Sequence, residues 1–85
     1  MQIKVDTKGY IIKGLRAAAR DIRACVDRKE LYFVYFNLKS RELSVNIPVG
    51  KDPDEILLIE SGVYKMSQQQ LADITIDVLT SRVYT

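Results

Sequence analysis

Four cations stand at helical spacing near the start of the chain: Lys13, Arg16, Arg20 and Arg23, separated by three, four and three residues. On a helix that spacing makes one stripe. A row of this kind can grip a phosphate backbone, an acidic protein face, or the acidic half of its own fold. Arg16 and Arg20 repel each other at i, i+4, and only Arg23 has an acid at that distance, Asp27. The stripe therefore lacks partners within its own helix. Asp73 and Asp77, also four apart, can answer it if two helices share one side of a sheet. The wider charge pattern is split the same way. Residues 1–29 hold eight basic and three acidic residues, and residues 30–85 hold five basic and eight acidic, which sums to the net +2. That modest total and the acidic second half rank a nucleic-acid surface behind a protein one.

Other chemistry is limited by inventory. Histidine is absent and Cys25 is the single cysteine. A Ser-His-Asp or Cys-His hydrolase cannot be assembled, and a zinc site has almost no ligands to draw on. The chain is therefore expected not to be an enzyme and to need no cofactor or metal. Lys8-Gly9 to Lys13-Gly14 lacks the Gly-Lys-Ser/Thr ending of a phosphate-binding loop, and its middle is bulky and apolar. Asp52, Asp54 and Glu55 stop after four residues, without the later glycine and glutamate of a calcium loop, and read as helix capping. Cys25 falls on an apolar arc and reads as a core thiol.

These residues need elements to position them. At 85 residues the chain makes one domain, and 47% apolar residues is too many for a disordered segment. Ile3-Lys4-Val5 alternates as a short strand. Over 10–28 the period becomes helical, with Ile11, Leu15, Ala18, Ile22, Cys25 and Val26 on one arc, and Gly9 and Gly14 leave the regular part to start at Tyr10 or at Gly14. Residues 31–38 and 42–49 predict a hairpin turning at Lys39-Ser40-Arg41. Its second strand places Leu43, Val45, Ile47 and Val49 on one face and Ser44 and Asn46 on the other; its first is apolar on both faces. Over 53–60, Asp-Pro-Asp-Glu at 52–55 looks like a helix start, while Ile56-Leu57-Leu58-Ile59 suits a buried strand equally well; the reading leans to a short helix. A helix over 68–82 follows from the capping box Ser67/Gln70 and the staple Met66/Leu71. Together these predict an α+β fold of two layers, with helices 10–28 and 68–82 on one face of an antiparallel sheet built on hairpin 31–49.

Apolar surface is in surplus. On helix 68–82 the apolar arc spans about 200°, wider than one buried face requires. Ala72, Ile76, Leu79 and Val83 on its margin are the candidate interface, for a protein partner or a second copy. Tyr32, Phe33, Tyr35 and Phe36 read as core, because residues 31–38 hold no basic residue to make a nucleic-acid stacking platform.

If 56–60 is a strand, the order helix, three strands, helix over residues 10–83 resembles the double-stranded-RNA-binding domain. In that family a lysine cluster opens the second helix and grips phosphates. Here the matching stretch Ser67–Asp73 holds no lysine and one aspartate, so the resemblance stops at element order. The reading is thus a non-enzymatic interaction or regulatory protein that binds a protein partner or itself, with nucleic-acid binding through the basic stripe as the alternative. The longest apolar run, Leu31–Phe36, is far too short to cross a membrane, and the first ten residues lack the apolar core of a secretory signal, so a cytoplasmic location is expected.

Overall fold

The computed structural model describes residues 3–5, 11–47 and 55–84. Strands β1 (Ile3–Val5) and β2 (Ile11–Lys13) form a small antiparallel ladder. Helix α1 (Leu15–Asp27) leads into the central strand β3 (Tyr32–Asn37), then β4 (Leu43–Val45), β5 (Ile56–Gly62) and helix α2 (Gln68–Tyr84). The antiparallel sheet has the order β4-β3-β5, so β3 is flanked on both sides. Tyr32, Val34 and Phe36 project from β3 into the core, where both helices cover them through Leu15, Ala18, Ile22, Leu71, Ala72 and Leu79. The two-layer α+β architecture is as the sequence predicts.

Three boundaries differ, each for a local reason. The first helix does not begin at 10. Residues 11–13 are β2, whose β-branched pair Ile11-Ile12 ladders with β1 instead of starting the helix. Gly14 makes the corner in the left-handed region, with φ +80°, and α1 starts after it. Lys13 therefore sits on a strand, and the helical stripe is reduced to Arg16, Arg20 and Arg23. The Lys13 backbone N–H donates to the Arg41 carbonyl at 2.8 Å, which anchors β2 beside the β3–β4 turn.

The second strand of the hairpin ends early. Asn46 takes φ +69°, and its backbone N–H and side-chain Oδ1 bond the two backbone groups of Phe33. The ladder cannot continue past it, so Ile47, expected on the buried face, is 74% exposed. Val49 lies outside the described residues.

Residues 56–62 form a strand, contrary to the helix favoured by the Asp-Pro-Asp-Glu signal. Pairing with the apolar edge of β3 outweighs a local cap: Leu57 and Ile59 reach the core while the backbone completes a ladder. Between the pairs Tyr35↔Leu58 and Val34↔Glu60 the register slips by one residue, leaving Ile59 as a bulge.

Helix α2 begins as read. The Gln70 N–H donates to Ser67 Oγ at 3.1 Å, and the Ser67 N–H donates to Gln70 Oε1 at 2.9 Å. Met66 and Leu71 both join the core. At the end of α1 the Glu30 N–H reaches the Cys25 carbonyl and the Lys29 N–H the Val26 carbonyl, a Schellman closure with Lys29 at φ +59°.

Two substitutions test these corners. Gly14→Ala places a Cβ 3.1 Å from the Leu43 carbonyl oxygen in a left-handed conformation. A cost of about 1–2 kcal/mol follows, a fall in Tm of about 5–10 °C by thermal melt. Lys29→Gly relieves a left-handed lysine on an exposed corner and is expected to raise Tm by a few degrees; an unchanged or lower Tm contradicts the Schellman assignment.

Candidate functional site

Two surfaces are candidates, one on α1 and one on the sheet. Leu15, Ala18, Ala19, Ile22 and Cys25 face α1 inward, and Arg16, Arg20 and Arg23 are exposed. The stripe and the acids of α2 do not meet. Asp73 and Asp77 are exposed on α2, and the ion pairs among the described residues are Arg28–Glu30 at 3.1 Å and Lys65–Asp27 at 3.3 Å. Asp27, read as the local partner of Arg23, is thus engaged by Lys65 at the far end of the helix. Asp73 instead accepts a hydrogen bond from Gln69 Nε2 at 2.9 Å. Lys13, on β2, is half-buried.

The described residues of the candidate interface on α2 are turned into the core. Ala72 and Leu79 are 2% and 7% exposed, inside the chain's own core, and Ile76 is half-buried against it. The Val83 side chain lies outside those described. The wide apolar arc is used because α2 packs against both α1 and β5.

Of the exposed large apolar residues among those described, Leu31, Ile47, Val63 and Tyr64 flank the strands, and Phe33 and Leu58 lie on the side of the sheet opposite the helices. Side chains alternate along a strand, so Phe33 and Tyr35 point away from the helices that cover Tyr32, Val34 and Phe36. Phe33 is 36% exposed, Leu58 on β5 is 50% exposed, and Tyr35 between them is half-buried. Their register neighbours are Ser61, Ser44 and, at the end of the ladder, Ile56. No charged side chain occupies these register positions. The signal was present in the sequence as a strand apolar on both faces, but which face the helices would take was not.

The end of the sheet near α2 is closed by a tyrosine pair. The Tyr32 hydroxyl donates to the Tyr64 carbonyl at 2.6 Å, the rings meet edge to face at 6.2 Å, and the Tyr64 hydroxyl donates to Glu60 Oε2 at 2.9 Å. Burial pushes the Tyr32 phenol up to about 12, with smaller contributions from Tyr64 and Glu60. The hydrogen bond to Glu60 raises the exposed Tyr64 as well. Cys25 is buried, with Asn46 Nδ2 at 3.4 Å and Arg28 Nη2 at 3.7 Å from its sulfur. Among the described residues no three Cys, Asp or Glu side chains cluster to hold a metal ion, and no helix is long and apolar enough to cross a membrane.

These features define a small α+β protein with two helices on one face of a three-strand antiparallel sheet. No protein-family model matches the chain, and no curated protein and no solved structure is significantly similar to it. The helix–three strands–helix order is present, yet α2 opens on Gln68-Gln69-Gln70 without lysine. The resemblance to the double-stranded-RNA-binding domain goes no further than that order.

The Tyr32 clamp gives a pH prediction. A phenol whose folded pKa lies above its ordinary value of about 10 stabilises the fold below that value, and the contribution fades as pH rises toward about 12. Wild-type Tm should therefore fall between these limits. Tyr32→Phe should melt lower at neutral pH by about 1 kcal/mol, because the Tyr64 carbonyl loses its donor, and should show a shallower alkaline decline. Parallel alkaline slopes in the two proteins contradict the assignment.

Proposed function

We propose that this chain is a non-enzymatic interaction protein that acts by pairing with a second copy of itself through the outer face of the β4-β3-β5 sheet. The observation that carries this reading is the exposure of Phe33, two residues along β3 from Tyr35, and of Leu58, paired with Tyr35 across the ladder, on the sheet face opposite the helices. Exposed aromatic and leucine side chains lose water favourably on association. The register positions around Phe33, Tyr35 and Leu58 carry no charge. A twofold packing would set apolar groups and hydroxyls against their own copies without opposing like charges, whereas a charged partner would find nothing to read.

The size of the face sets the strength. Strands of three, six and seven residues, about 4.8 Å apart, present roughly 250 Å² in plan. A standard interface takes about 800 Å² per partner, so the dimer is expected to be weak, with a micromolar Kd. A concentration series by light scattering coupled to size exclusion is the test. The wild type should move from 9.7 kDa toward twice that mass as concentration rises, and added salt should not dissociate it. Phe33→Asp/Leu58→Asp alters only exposed positions and should remain monomeric with an unchanged circular dichroism spectrum. A wild type that stays monomeric throughout overturns the reading and leaves the face to a different protein. A double variant that still dimerises places the contact elsewhere.

A further inference from the structure

The second surface is independent of the first, because α1 packs on the opposite side of the sheet. Arg16, Arg20 and Arg23 are four and three residues apart on this helix, so they fall within an arc of about 60°. All three are exposed and none is ion-paired among the described residues. The one acid a turn beyond Arg23 on the same arc, Asp27, is held by Lys65 Nζ at 3.3 Å, so the counter-ion the helix itself offers is already engaged. At the other end, the Lys13–Arg41 backbone bond brings a further cationic residue to the start of α1, with Glu42 as the acid nearest Gly14. Helix α1 thus carries a row of three like charges without an ion-pair partner among the described residues. A multivalent anion would relieve their mutual repulsion.

The spacing fits a strand of phosphates. At 1.5 Å rise per residue the guanidinium-bearing positions span about 10 Å along the axis, and one strand advances about 3.4 Å along the duplex axis per phosphate, so a helix laid along that axis passes about three phosphates. All three cations are arginine, whose planar fork matches two phosphate oxygens at once, where lysine supplies a point charge. An acidic helix presents carboxylates at the same spacing, so polyglutamate is the control that separates a protein from a nucleic acid. We propose that Arg16, Arg20 and Arg23 form a site for the phosphodiester chain of a nucleic acid, through phosphate contacts that themselves carry no base selectivity.

Fluorescence anisotropy of the full chain with a labelled DNA duplex of about 20 base pairs tests this, because three phosphate contacts predict a slope of log K against log salt near −2.7. Binding should weaken about 40-fold between roughly 50 and 200 mM salt. Each single Arg→Gln substitution should lower the slope by about 0.9, and the triple variant should abolish the response. The triple Arg→Lys variant should keep the slope and lose affinity. Duplex RNA and single-stranded DNA arms identify the source of the backbone; the latter has a slope nearer −2.1 for the same contacts. Absence of binding to every arm at low salt overturns the proposal. So does a triple Gln variant that binds as the wild type does, or equal binding to polyglutamate, which assigns the row to an acidic protein.

Discussion

Strand β3 has two faces, both apolar, and a chain of this size owns only enough helix to cover one. Tyr32, Val34 and Phe36 take the helices; Phe33 and Tyr35 are left to the other side. The rest of the structure is arranged to hold β3 in the middle. The strands β4 and β5 flank it, Asn46 bonds both backbone groups of Phe33, and the Tyr32 hydroxyl fastens the chain leaving β5. Asn46 also reaches the Cys25 sulfur, so the same residue that ends β4 ties the sheet to α1. Each fully buried side chain in this core contributes about 1.5–3 kcal/mol, which is large against the marginal stability of a small domain. Covering a second face would require a third layer, which the described residues do not supply.

How far the sequence reveals this differs by element. Helix α2 is legible because its signals are local and agree: a reciprocal capping box, a staple and a helical period. Helix α1 is legible from Leu15 onward. Its start is not, since Ile11 falls on the helical period by coincidence and only pairing with Ile3–Val5 decides for strand. Segment 56–62 is the clearest conflict. A strong local cap signal at 52–55 points one way, and the hydrogen-bonding demand of β3's free edge, from Asn37 opposite Ile56 to Tyr32 opposite Gly62, decides the other. The arginine row is visible in the sequence by spacing alone, but whether Asp73 and Asp77 neutralise it depends on helix rotation, which spacing does not encode. The apolar surplus is visible as a quantity and misplaced as a location, because α2 spends its wide arc on two neighbours rather than one.

The two proposed surfaces do not compete. Packing two sheets face to face leaves the helices outermost, so a dimer of this kind is a four-layer sandwich with one arginine row on each outside layer. A weak self-association then doubles the number of phosphate-facing rows, and the two rows sit too far apart to grip the same turn of a duplex. Association through neutral apolar groups is indifferent to salt, and the arginine row is governed by it, so ionic strength separates the two behaviours.

The central claim is that β3 leaves its outer face uncovered and that this face, not α2, meets another copy. The most direct measurement is a dilution series of two-dimensional amide NMR spectra from near-millimolar to low micromolar protein. Shifts should depend on concentration and centre on Phe33, Tyr35, Leu58 and Ser61, with Ala72, Ile76 and Leu79 unmoved. Shifts confined to α2, or spectra that do not change with concentration, would contradict the claim.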